Sequence, residues 1–465
     1  MASSAGITPI GRATVARGSL SRAMTPGIRK EVWGWTFLAG LSLAVAGLLA
    51  LLLALSRTPG VQDYLPVNYF RTALVTHVVF SVVVWYLALL GLLSCISAAR
   101  QTEGKPRMAF LGPVGLVLCG LGSLVLLGVT LTNAGDPSLN NYIPVLMHPA
   151  YYVGLVAIAA GVALPVVRQM IQPGLMSEPA SFAVTVAGLT YLTALFCFGL
   201  AYRLLPPDLD PATWNERLFW GGGHVLQFTY TAMMLAVWHM LCTMSFGAPP
   251  LPDRAFKAAL ATMLPFVLVA PAFYGLDPLS LAHRDGFTAL FRYGLVLPPV
   301  AIAGGLAWMV FSRARVVGWR SPVWLALLLS VAVFGIGGIE GYFLGVADTR
   351  TPGHYHAVIG GTTLAFWGLL LGIVLPALGR AAGISIWETA LFWMYGVGQT
   401  LHSAGLFAAG TVGVPRKTAG AEQGLDTLAK QISMIVTGTG GGIAVLAGAL
   451  FVVILLRRLL RRGGA

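Results

Sequence analysis

Eight histidines punctuate an otherwise apolar chain. Imidazole is the common protein ligand for haem iron, copper and non-haem iron. Inside a membrane it is costly, and where it is kept it usually has a function. The sharpest local pattern is His354-Tyr355-His356. Helix positions two apart point about 200° away from each other. One metal cannot take both rings. Either the two serve two cofactors on opposite sides of one helix, or one is a ligand and the other a bystander.

The elements that must position these residues are membrane helices. Of the 465 residues, 57% are hydrophobic and only 10% charged, against about 25% charged in a soluble domain. This excludes a disordered chain, a soluble enzyme and a secreted scaffold. A helix crossing a bilayer needs about 20 mostly apolar residues. Twelve such runs are predicted, at roughly 33–56, 70–97, 108–132, 143–168, 180–203, 215–245, 256–276, 287–311, 323–346, 353–376, 386–411 and 432–457. The fold class expected is an all-α integral membrane protein in one catalytic domain (33–458). Short basic tails flank it at 1–32 and 459–465. Cys95, Cys119, Cys197 and Cys242 lie in apolar runs without CxxC or CxxCH spacing and read as small apolar residues.

The net charge of +13 does not point to nucleic acid, because no basic run sits in a polar domain. It follows the positive-inside pattern. With both termini in the cytoplasm, inner segments hold Arg12, Arg17, Arg22, Arg29, Lys30, Arg100, Lys105, Arg107, Arg168, Arg254, Lys257, Arg313, Arg315, Arg320, Arg380, Arg457, Arg458, Arg461 and Arg462. Asp63, Asp136, Asp208 and Asp210 fall outside. In this orientation His77, His148, His224, His354, His356 and His402 all lie toward the outer face. His283 falls in the outer connection between spans 7 and 8, and His239 alone lies inward. Six histidines at one depth on five helices point to a metal or haem site built between helices.

Four motifs, in order, resemble the catalytic subunit I of the haem-copper oxidase superfamily, which includes cytochrome c oxidases and nitric oxide reductases. Asp348-Thr-Arg-Thr-Pro-Gly-His354-Tyr-His356 resembles its helix-10 motif, and Trp220-Gly-Gly-Gly-His224-Val its helix-6 motif. Tyr142-Ile-Pro-Val-Leu-Met-His148-Pro-Ala-Tyr-Tyr is similar to a helix-4 motif of the B-type oxidases. Leu401-His402-Ser-Ala-Gly405, followed by Val414-Pro-Arg416, resembles the end of helix 11. The resemblance implies two non-covalent haems. His77 and His356 would be axial ligands of a low-spin haem, and His354 the proximal ligand of a high-spin haem. His224 would hold a second metal, copper or non-haem iron, facing the open position for a diatomic gas. His148 and His402 would be supporting residues, and Trp220 and Tyr355 would lie beside haems.

The chain departs from the family in two places. The oxygen-reducing members complete the second-metal site with two neighbouring histidines in helix 7. Here that stretch reads Ala270-Pro-Ala-Phe-Tyr-Gly-Leu-Asp277, and the nearest histidine, His283, is followed by Arg284. Asp277, Asp285 and Glu340 are candidate oxygen ligands, which suit iron better than cuprous copper. Where many oxygen reductases carry a linked tyrosine, four residues after the helix-6 histidine, and nitric oxide reductases often a glutamate, this chain has Phe228. Reduction of nitric oxide needs two electrons and two protons, and reduction of dioxygen four of each.

The expected function is therefore a respiratory terminal reductase of a bacterial cytoplasmic (inner) membrane, leaning to nitric oxide over dioxygen. The expected site set is His224, His354 and Glu340 in catalysis, His77, His354 and His356 on haem, and His224, His283 and Asp277 on the second metal. The expected partner is a membrane-anchored electron-donor subunit of copper or cytochrome c type, fed by cytochrome c or a similar donor. Protons are expected from the outer side, since intramembrane acids are nearly absent. The glycine clusters 221–223 and 438–442 admit either a cofactor or a packed neighbour. A non-catalytic haem sensor or assembly protein is the rival reading. A secondary transporter is the other, although neither paired broken helices nor midplane charges are seen.

Overall fold

The computed structural model describes residues 22–57, 67–313, 321–345, 347–380 and 385–461. Most of the basic N-terminal tail, Asp63, Arg315, Arg320 and Arg462 lie outside them. The described chain is a helical membrane bundle, as expected. In chain order it runs α1 (Pro26–Ser56), α2 (Phe70–Gln101), α3 (Leu111–Leu131) and a hairpin of β1 (Asp136–Ser138) and β2 (Val145–Met147). Then follow α4 (Pro149–Met170), α5 (Pro179–Leu204), α6 (Pro211–Phe246), α7 (Asp253–Gly275), α8 (Leu281–Ser312) and α9 (Pro322–Glu340). The last three are α10 (Arg350–Ala377), α11 (Ile386–Thr411) and α12 (Leu428–Leu460). Eleven of these are long and apolar enough to cross a membrane. The remaining one, α11, has 26 residues and is more polar, carrying Glu388, Gln399, His402 and Ser403.

Several boundaries differ from the apolar runs, each for a local reason. The expected start of α4 at 143 gives way to the hairpin; the helix begins at Pro149, with His148 as its N-cap. Proline at the first helical position and a capping side chain there override hydropathy. The broken backbone of α7 ends in a 3₁₀ turn over Ala270–Gly275, with Pro265 and Pro271 at its breaks. The expected outer connection containing His283 is the first turn of α8. Ser280 caps it by accepting from His283 N at 3.2 Å, which starts the helix before the apolar run does.

Three helices form the inside of the bundle. In their most apolar windows α2, α6 and α10 are 89%, 83% and 78% buried, whereas every other apolar span is half buried or less. These three carry His77, His224, His354 and His356. A π-helical turn widens α2 at Val79–Val84 and another widens α10 at Leu370–Val374. Around them, small residues let backbones approach. A Cβ at Gly122 of α3 would sit 2.6 Å from Gly154 O of α4, and one at Gly405 of α11 would sit 2.6 Å from Thr437 N of α12.

Charge at one end of the bundle is paired across helices. Arg168 of α4 and Glu31 of α1 are fully buried, and the guanidinium meets the carboxylate through both Nη atoms, one at 2.8 Å. Arg168 Nη1 also donates to Ala109 O, and Gly112 leaves the space for the pair. Arg100 bonds Glu178 at 2.8 Å, and Arg458 of α12 pairs with the buried Glu388 of α11. Arg168 and Arg458, expected as plain inward charges, are thus structural ions, and Glu388 is a buried partner. Removing one member of a buried pair strands the other charge, at a cost of about 3–5 kcal/mol. Glu31→Gln and Arg168→Met should each lower the unfolding midpoint in detergent. The double variant should recover most of the loss, a coupling that a double-mutant cycle measures directly.

Candidate haem and metal site

Helix α10 is fixed at its N-terminal end before its histidines appear. Asp348 Oδ1 accepts from Arg350 N at 2.9 Å, and its carboxylate pairs with the Arg350 guanidinium at 2.8 Å. Thr349 N donates to Val414 O, and Arg416 N to Ala347 O, so the segment after α11 is stitched to the start of α10. The Arg350 hydrogen bonds hold the Asp348 carboxyl below the usual carboxylate range. One turn on, His354 Nδ1 lies 2.6 Å from Gly337 O of α9. Gly341 gives the ring room, since a Cβ there would sit 2.9 Å from His354 Cε1. The Ser403 hydroxyl of α11 lies 2.7 Å from Glu340 Oε2 and 2.9 Å from Gly353 O, clasping α9, α10 and α11 beside His354.

The same geometry recurs at two more histidines. His77 Nδ1 lies 2.9 Å from Ala46 O of α1, and His402 Nδ1 lies 2.8 Å from Thr437 O of α12. A carbonyl only accepts, so in each neutral ring Nδ1 carries the proton and Nε2 keeps its lone pair. That is how a metal-binding histidine is oriented by its surroundings. His356 lies beside this group, its ring 4.5 Å from the His402 ring and edge-on to it. His402, read from sequence as a supporting residue, shares the anchoring of a ligand. Tyr355 is exposed, its ring 5.1 Å from that of His356.

Around His224 the arrangement differs. Gly221, Gly222 and Gly223 each face an aromatic ring that a Cβ would strike: Phe287 and Tyr274, Phe198, and Tyr142 respectively. The triplet is therefore a cradle for aromatic neighbours. His224 Nδ1 donates to Trp220 O, one turn back on its own helix, at 2.8 Å. Its Nε2 lies 2.9 Å from the Tyr142 hydroxyl. His283 is fully buried, its ring 5.0 Å from Phe287, which in turn lies 6.1 Å from His224. The Tyr274 ring lies 4.9 Å from that of His283, and neither nitrogen of His283 nor the Tyr274 hydroxyl meets a hydrogen-bond partner among the described residues. Phe228 is buried against Gly294, and Tyr230 stacks on Tyr86 at 4.6 Å.

Other candidates fall elsewhere. Asp277 is exposed, and its Oδ1 accepts from Leu279 N. Asp285 pairs with Arg284 at the surface. Glu340 is engaged by Ser403 rather than by His224 or His283. His148 caps α4, and His239 packs on Phe256 at 4.6 Å. Among the described residues, no three of His, Cys, Asp and Glu gather as a metal-ion site. Sequence reasoning missed Tyr142 as a partner of His224, and also Glu216 and Lys417, which hold its loop. Burial pushes the Lys417 ammonium down to about 8 while its Nζ donates to Leu139 O. Tyr142 opens the segment that ends at His148, but no short-range signal marks it as a partner of His224, and none marks Glu216 or Lys417.

The donor chemistry fits axial haem ligation at His77 and His354, whose lone pairs are fixed by backbone anchors. For a second metal, His283 and Tyr274 offer unpartnered buried donors, whereas both nitrogens of His224 are engaged. The Asp348 anchor supplies a test. Its stabilising contribution is complete above the ordinary carboxylate range and is lost as pH falls through its own lower value. Asp348→Asn should weaken the start of α10 by about 1–2 kcal/mol. A haem held by His354 would then be retained less well, as absorbance after detergent extraction would show.

Comparison with known proteins agrees with this geometry. Residues 31–444 match the family described as cytochrome c and quinol oxidase polypeptide I. An uncharacterised protein of Aquifex aeolicus is 29% identical over 328 residues, covering 70% of this chain and 80% of that one. An uncharacterised protein of Rickettsia prowazekii is 23% identical, covering 90% and 94%. Cytochrome c oxidase subunit 1 of Thermus thermophilus is 22% identical, covering 77% and 71%. A solved haem-copper terminal oxidase dimer shares the fold with a TM-score of 0.76 and 16% identity, covering 95% of this chain and 86% of its own. The anchored histidines of the three inner helices and the match across nearly the whole chain lead to one assignment: the protein belongs to the cytochrome c and quinol oxidase polypeptide I family and is an oxidoreductase of the haem-copper oxidase superfamily.

Proposed function

We propose that the chain is the catalytic subunit of a terminal reductase that converts nitric oxide to nitrous oxide and water. The carrying observation is the His354-x-His356 pair on the buried helix α10, with His354 locked by Gly337 as a neutral Nε2 donor. His77 and His356 would hold a low-spin haem and His354 a high-spin haem. When bound, the haems supply electron transfer and a vacant iron position for a diatomic gas. The protein's part is to orient these imidazoles through Ala46 and Gly337 and to exclude water with the apolar walls of α2, α6 and α10. His224 and His283 mark the side from which a second metal would act, and His283 has the unengaged nitrogens.

The lean to nitric oxide rests on Phe228, on the single histidine His283 in place of a pair, and on the smaller demand for electrons and protons. Acids at one end of the bundle are tied up, Glu31 by Arg168 and Glu388 by Arg458. Asp277 at the other end is exposed and suits proton uptake from the outer side without strong pumping. Dioxygen is a second reading, favoured by the Tyr142 phenol on His224. In this reading the protein sits in a bacterial inner membrane with both termini facing the cytoplasm, which the distribution of basic residues supports. Electrons would come from a membrane-anchored subunit of copper or cytochrome c type.

Two measurements test this reading. His354→Ala should remove the CO-reactive haem signal and His356→Ala the low-spin one, and unchanged spectra in both variants would overturn the ligand assignment. With a reductant and a mediator, the wild type should yield one nitrous oxide per two nitric oxides. Dioxygen consumed to water with no nitrous oxide would move the substrate to dioxygen.

A further inference from the structure

We infer that one end of the bundle, where α1 and α11 begin and α10 and α12 finish, binds the phosphate head group of an anionic phospholipid. Three contacts bring these helix ends together. Arg29 Nη1 donates to Leu378 O, just past α10, at 3.1 Å. Trp33 Nε1 donates to Leu459 O of α12 at 3.0 Å, and Arg458 pairs with Glu388. The same end carries Arg29, Lys30, Arg380, Arg457 and Arg461. Its acids are already taken, Glu388 by Arg458 and Glu31 by Arg168. Among the described residues, no carboxylate pairs with any of these five cations.

The cations stand on fixed backbone. Helix α10 closes in a turn where Gly379, at φ +75°, donates through N to Pro376 O, and Arg380 N donates to Leu375 O. That turn sets Arg380 just beyond the helix, and its Leu378 carbonyl holds Arg29. One turn further along α1, Trp33 fixes the last turn of α12, where Arg457 and Arg461 lie four residues apart. Arg380 is half-buried, and its Nη1 is buried with no hydrogen-bond partner among the described residues. A buried guanidinium N–H without an acceptor is costly, and a phosphate offers paired oxygens that match the guanidinium fork. Apolar side chains border the patch and face outward: Ile386 and Trp387 at the start of α11 and Leu460 at the end of α12 are 74%, 64% and 59% exposed. A free anion or an acidic protein segment would use the charge alone. A lipid uses both features, its phosphate on the guanidinium groups and its chains on the apolar border.

The test uses the purified full chain in neutral detergent, titrated with phosphatidylglycerol and separately with phosphatidylcholine, with bound lipid counted by native mass spectrometry. Phosphatidylglycerol should be retained in preference to phosphatidylcholine. Arg380→Gln and Arg457→Gln should each weaken that retention about fivefold. Arg254→Gln, which removes an exposed arginine at the start of α7, should leave it unchanged. Equal loss in Arg254→Gln would reduce the effect to general attraction by a positive surface and overturn the site. Equal retention of the two lipids, or unchanged retention in both site variants, overturns it as well. Displacement of the lipid by an equal concentration of inorganic phosphate would show a phosphate site rather than a lipid site, and capture of an acidic protein partner in place of lipid would overturn the choice of occupant. Size-exclusion profiles report folding, and Arg461→Gln, at the very end of α12, carries the same expectation should either site variant fail to fold.

Discussion

A neutral imidazole in an apolar bundle has one N–H that must be given to something, and the rest of this structure depends on where it goes. At His77, His354 and His402 it goes to a main-chain carbonyl of a neighbouring helix. One hydrogen bond then does three things. It satisfies a buried donor, fixes the tautomer and aims the remaining lone pair. It also joins α2 to α1, α10 to α9 and α11 to α12, so imidazole orientation and helix packing are the same interaction. The Ser403 clasp between Glu340 and Gly353 reinforces this at the most crowded point.

The two sides of the site are built on different principles. The histidines of α2 and α10 are oriented by backbone, which is stiff. The His224 side is oriented by aromatic side chains admitted by three successive glycines and by a clamped loop. Side chains can exchange partners in a way that helix carbonyls cannot. A metal held on the His224 side would profit from that difference, whereas a haem held by the backbone-anchored histidines would gain from rigidity. His283 and Tyr274, with buried polar atoms lacking partners among the described residues, lie on the adaptable side.

Charge follows a similar economy. Arg168 and Arg458 are each matched with a carboxylate on another helix, and Arg100 with Glu178 just before α5. Such pairs add little net stability over apolar packing, but breaking one is costly. They therefore fix which helices are neighbours more than how tightly those neighbours bind. Read as a count of charges, these arginines report only orientation. Read with their partners, they set the register of α1 on α4 and of α11 on α12.

The sequence by itself determined the membrane class, the helical runs, the histidine pair on α10 and the family, because hydropathy, capping and short motifs are properties of near neighbours along the chain. It misplaced the starts of α4 and α8, where Pro149 and the Ser280 cap outweighed the apolar pattern. Only the tertiary structure decided what each ring nitrogen meets. Tyr142 and His224 are 82 positions apart, and His354 reaches a carbonyl on a different helix. Hydrogen-bond partners in a bundle are chosen by which helix faces pack together and at what axial offset. A shift of a single turn would exchange every one of those partners without changing the hydropathy of any span.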